Sequence, residues 1–153
     1  MKKALVSLAA AASLLGVGFA APAYAATPAV SFTKIYFDSP GKDTGSNTSL
    51  NNEWVRLTNN TKKTVQLKGW TVRDKSSHVF TFKASYSLKP GARVYVHTGR
   101  GTNGKPDGND VYWGSRAYIW NNTGDTATLK TGAGKVHDTC KWGQKAGRTK
   151  ISC

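Results

Sequence analysis

Turn-forming clusters interrupt this chain so often that only short strands fit between them. They stand at Ser39-Pro40-Gly41, Asn51-Asn52, Asn59-Asn60, Asp74 to Ser77, Lys89-Pro90-Gly91, Gly99 to Asn109, Asn121 to Gly124 and Gly132 to Gly134. Gly supplies positive φ, Pro presets φ, and Asn, Asp and Ser satisfy nearby backbone groups, so each cluster ends a regular segment. The runs between them are rich in Val, Thr, Tyr, Phe and Trp, and none keeps an apolar period near 3.6 over helical length. The fold class this predicts is all-β, a sandwich of short strands.

Alternation sets the phase of the strands. In Glu53 to Thr58, Val55 and Leu57 share one face with Glu53, while Arg56 and Thr58 share the other with Trp54. In Thr64 to Asp74 the phase of Val65 and Leu67 is lost at Gly69, and Trp70 and Val72 fall in the other one; a bulge or bend there lets the strand change sheet. Phe80 and Phe82 pair in phase, as do Val94 and Val96. Tyr118 to Trp120 is predicted to form a hairpin with Ala127 and Leu129 across Asn121 to Gly124, with Trp120 packed over it. The glycines at 99, 101, 104 and 108 with Pro106 predict a long mobile loop.

The first residues read as an export signal: Lys2 and Lys3 precede an apolar stretch from Ala4 to Phe19, and Ala23-Tyr24-Ala25 is an A-x-A cleavage signal. Cleavage after Ala25 leaves 128 of the 153 residues, residues 26–153, as one domain. No later apolar run is long enough to cross a bilayer. The expected location is extracellular, free or wall-associated, and the expected state is a monomer.

Charge narrows the partners. Of 22 Lys plus Arg two lie in the leader, so 20 face 8 Asp plus Glu in the mature chain, a net charge of +12. Such a field attracts nucleic acid, anionic wall polymers or acidic lipid heads without choosing among them. The basic residues Lys141, Lys145, Arg148 and Lys150 cluster near the C-terminus with Trp142 among them, a candidate polyanion patch that joins cations to an aromatic. Cys140 and Cys153, in a chain exported to an oxidising space, are read as a disulfide closing that tail, residues 139–153.

Catalytic constellations are sparse. No G-x-S-x-G surrounds Ser115, and His78, His97 and His137 sit on separate strands, so no triad is expected. Glu53 is the only glutamate; its phase turns it inward, where it serves as a buried acceptor rather than one of two opposed carboxylates. Asp107-Gly108-Asn109-Asp110, and Asp38 with Asp43, offer oxygen ligands but match no defined calcium loop, and such residues also populate turns for local reasons. No metal and no cofactor is expected.

Asp38-Ser39-Pro40-Gly41, Leu50-Asn51-Asn52-Glu53-Trp54-Val55, Leu67-Lys68-Gly69-Trp70-Thr71, Thr98-Gly99-Arg100-Gly101, Tyr112-Trp113-Gly114 and Trp120-Asn121-Asn122-Thr123-Gly124-Asp125-Thr126-Ala127, with Leu88 and Gly91, form an ordered set. In that order they resemble the lamin-tail domain, in its secreted bacterial branch, over about residues 29 to 138. The resemblance implies an immunoglobulin-like β-sandwich with no catalytic centre. It makes Glu53, Trp54, Gly69, Trp70, Trp113, Trp120, Asn121 and Asp125 residues of the structural motif. Bacterial members are often fused to secreted hydrolases or nucleases, which implies an accessory or tethering role. This chain has neither a coiled-coil rod nor an attached enzyme, so tethering would involve a separate protein or anionic polymer. The expected function is a non-catalytic secreted binding or envelope-associated module. The alternatives are a polyanion binder for DNA or wall polymer, and a small enzyme built on Glu53 or a loop metal.

Overall fold

The computed structural model describes residues 26–105 and 108–153. The segment read as an export signal, its expected cleavage site after Ala25 and Asp107 of the oxygen-rich loop lie outside the described residues. The elements are β1 (Val30–Tyr36), α1 (Asn47–Asn51), β2 (Trp54–Asn59), β3 (Val65–Gln66), β4 (Thr71–Arg73), β5 (Val79–Thr81), β6 (Ser87–Leu88), β7 (Arg93–His97), β8 (Asp110–Tyr112), β9 (Gly124–Lys130), β10 (Val136–Gly143) and β11 (Lys150–Ile151). They form a five-stranded sheet in the order β11-β1-β2-β7-β8, a four-stranded sheet β10-β9-β4-β5, and a small two-stranded sheet β3-β6. All pairs are antiparallel except β7 with β8. The architecture is the immunoglobulin-like sandwich expected from the turn spacing and the resemblance.

Alternation decides what each sheet buries. Phe32, Ile35, Val55, Leu57, Val94 and Val96 point inward from the five-stranded sheet and Val72, Phe80, Ala127, Leu129, Cys140 and Trp142 from the other, all in one core. Each large apolar side chain so buried contributes about 1.5–3 kcal/mol. The phase change at Gly69 is a change of sheet: β3 pairs with β6, whereas β4 pairs with β5 and β9. Gly69 has φ +82°, and a Cβ there would lie 3.4 Å from Gly132 Cα. Only glycine takes that backbone turn readily.

Three expectations change. Tyr118 to Trp120 is not a strand, and β9 pairs with β10 and β4 instead. The backbone donors of Ile119 and Trp120 find a side chain, Glu53, in place of a strand. The loop after β7, expected to be mobile, is held in its described part: Arg100 N donates to Asn47 Oδ1, and the Arg100 carbonyl accepts from Asn47 and Asn51 Nδ2. Gly101 lies so close to the Tyr112 ring that a Cβ there would come within 2.4 Å of it. Finally, the tail, residues 139–153, holds five of the 8 residues of β10 and all of β11, one in each sheet.

Candidate polyanion interface

Four carboxylates, those of Glu53, Asp74, Asp110 and Asp125, are buried. Glu53 is 0% exposed. Its Oε1 accepts from Trp120 N at 2.8 Å and its Oε2 from Ile119 N at 3.1 Å, so both oxygens are committed to the crossover that follows β8. Burial raises its pKa from the ordinary 4.5 to about 7, against the pull of the two backbone donors. Asp125 accepts from Lys75 N, Thr126 N and Asn121 N and Nδ2, which stitches the turn before β9 to the β4–β5 connection. Asp138 Oδ2 takes Phe32 N at 2.7 Å, across from β10 to the bulge in β1. Asp74 and Asp110 are buried and bonded to His78 and His97.

The cations point the other way. No Lys or Arg is buried among the described residues. His78 lies 2.7 Å from Asp74 and His97 2.7 Å from Asp110. Lys and Arg therefore meet solvent while half of the 8 acids, Glu53, Asp74, Asp110 and Asp125, lie in the interior. They do not converge on one face. Lys34, Arg56, Arg93 and Lys150 stand outward on the five-stranded sheet, and Arg73, Lys130 and Lys141 outward on the four-stranded one.

The C-terminal patch straddles the edge between the sheets. Lys141 is exposed on β10 opposite Thr126, and Lys150 on β11 opposite Tyr36, with Lys145 and Arg148 in the connecting turn. Arg148 Nη2 donates back to Gly143 O, so its guanidinium also closes that turn. Lys150 Nζ donates to Tyr36 Oη at 2.9 Å and draws the phenol pKa down. Cys140 and Cys153 are bonded, with Cα atoms 5.7 Å apart, and the bridge ties β10 to the segment after β11. It fastens one sheet's edge to the other's.

Trp142 does not belong to this surface. It is 3% exposed, stacks on Phe37 at 5.1 Å and donates its indole N–H to Asn121 O. The strand pattern is the reason: β10 continues to Gly143, so Cys140 and Trp142 fall on the inner face and Lys141 on the outer. An aromatic expected beside the lysines is a core residue.

The remaining motif residues surround the same core. Trp120, 3% exposed, meets Trp113 edge-on at 5.9 Å and Trp142 at 5.8 Å. Trp70 is half-buried with its ring edge-on to His137. Trp54 differs, being half-buried on the outer face of β2. This arrangement, with Glu53 under the crossover and Asn121 capped by Asp125 ahead of β9, follows the order of the sequence motifs. The family model of the Lamin Tail Domain matches residues 23–144. The chain belongs to the lamin tail domain family. No curated protein matches it.

In this lamin tail domain the family match runs past Cys140 and Trp142, and the disulfide partner Cys153 lies beyond it. Among the described residues no group of three or more His, Cys, Asp or Glu gathers as metal ligands would, and no helix is long and apolar enough to cross a membrane. Asp38 accepts from Asn122 Nδ2, and Asp110 accepts from His97. Sequence reasoning missed Tyr36, Tyr95, His97 and Tyr112, which share the outer face of the five-stranded sheet with Trp54. Each shows a strand phase, but only cross-strand register brings them together.

Proposed function

We propose that this lamin tail domain is an exported, non-catalytic binding module that holds an anionic polymer at the cell envelope. The distribution of charge supports this reading: Glu53, Asp74, Asp110 and Asp125 are buried, while no described Lys or Arg is. An outward field of one sign keeps the protein soluble and also concentrates polyanions at its surface. The export signal and the disulfide that joins the sheet edges agree with an oxidising space outside the cell. Against an enzyme centred on Glu53 stands its burial, with both oxygens taken by backbone donors, which leaves none for a substrate. The test is retention on purified anionic wall polymer. The protein should bind and be released by salt, and Lys141→Gln with Lys145→Gln and Lys150→Gln should elute earlier. Passage through the column at low salt would refute the proposal.

A further inference from the structure

The outer faces of the two sheets are built differently. On the four-stranded sheet the outward positions hold Thr71, Thr81, Thr126, Thr128 and Thr139 among scattered cations, an ordinary way to cover a solvated β surface. On the five-stranded sheet, cross-strand register aligns Lys150, Tyr36, Trp54, His97 and Tyr112 in one row from β11 to β8. Tyr95 adds a ring from the next row, where Arg56 is its partner. Tyr36 and Trp54 lie 4.7 Å apart, Trp54 and Tyr95 5.2 Å, and His97 and Tyr112 5.2 Å. All five rings are half-buried rather than covered. At about 4.8 Å per strand the row spans about 19 Å.

Cations flank these rings. Lys150 Nζ sits over Tyr36 at 5.0 Å from the ring centre. Lys34 and Arg56 are directly opposed across β1 and β2, a like-charge pairing that destabilises an antiparallel sheet unless something negative lies between. Arg93 stands outward on β7. The carboxylate at this face's register, Asp110, is buried and bonded to His97. A neutral glycan would use the rings but leave the cations idle, and a wall polymer without rings would do the reverse.

We propose that the outer face of the five-stranded sheet binds single-stranded nucleic acid, with bases stacking against Tyr36, Trp54 and Tyr95 and phosphates meeting Lys34, Arg56, Arg93 and Lys150. Sequence-independent stacking over a cationic groove is how single strands are held without base readout. The proposal rests on the polyanion reading above and narrows it to one class of polymer and one face.

The test compares a labelled oligothymidylate with inorganic polyphosphate of equal charge, using the disulfide-intact protein, residues 26–153, which hold every described strand. The oligothymidylate should bind at least tenfold tighter at the same salt, and Trp54→Ala should lose about tenfold on it while binding polyphosphate unchanged. If Trp54→Ala fails to fold, tryptophan fluorescence of the unaltered protein decides, being quenched by oligothymidylate and not by polyphosphate, with the quenching lost in Trp54→Phe. Equal affinity for the two polymers overturns the assignment of this face and leaves the broader polyanion reading standing. Failure to bind either polyanion at about 50 mM salt overturns both.

Discussion

The Glu53 carboxylate accepts the backbone N–H of Trp120 at 2.8 Å from 67 residues away, and so completes with a side chain what a paired strand would have supplied. Its other oxygen takes Ile119 N. The crossover between β8 and β9 is thus hung on one buried acid, and the burial that makes the acid useful also raises its pKa.

Stability should carry the signature of that shift. The folded pKa, about 7, lies above the ordinary 4.5, so between those values the folded chain keeps a proton that the unfolded chain has lost. The stabilising contribution is full below about 4.5 and disappears as pH rises through about 7. A shift of this size corresponds to about 3 kcal/mol. Urea unfolding across pH should show this fall, and Glu53→Gln should lack it while losing about 1–3 kcal/mol for the backbone donor its amide cannot satisfy. An equal slope in both proteins would refute the role.

Trp142 and Lys141 are adjacent in sequence and opposite in fate. Trp142→Ala should cost about 3–5 kcal/mol, the usual loss for a buried aromatic. Lys141→Ala should stay within about 0.5 kcal/mol. Thermal melts of the two variants check this, and similar losses would contradict the strand phase of β10.

The Cys140–Cys153 bridge ties an edge of each sheet across a separation of 13 residues. Replacing both with serine should lower stability by about 3 kcal/mol, without unfolding the sandwich, since β10 still pairs with β9 along its length. Denaturant titration of the variant measures the loss, and hydrogen exchange should quicken first in β11. Uniform quickening would point to a global role instead.

At Gly69 the left-handed backbone lets β3 and β4 join different sheets. Gly69→Ala should destabilise by about 1 kcal/mol from backbone strain. Gly143→Ala, where nothing lies within 4 Å of the added Cβ and φ is not positive, should be nearly silent. Paired unfolding curves separate these outcomes.

Much of the sandwich was legible because alternation is local. Val55 with Leu57, Phe80 with Phe82 and the phase break at Gly69 all follow from a period of two, and the two cysteines allow a single intramolecular bridge. The candidate site was less legible. Lys141, Lys145, Arg148 and Lys150 are near one another along the chain, as Trp142 is, but the extension of β10 turns Trp142 inward. Trp120 was placed on a hairpin because its partner looked like a strand, and a single sequence does not show that a distant carboxylate can stand in for one. The row from Lys150 to Tyr112 depends on register across five strands, which no local pattern encodes.

The most direct test of outward cations over inward acids is the salt dependence of polyanion binding. Affinity of the disulfide-intact protein for a labelled DNA polymer should fall linearly on logarithmic axes between about 50 and 200 mM salt, at about one counterion released per phosphate contacted. The slope should shrink when outward lysines are neutralised. Absence of binding at low salt, or an affinity indifferent to salt, would contradict the account.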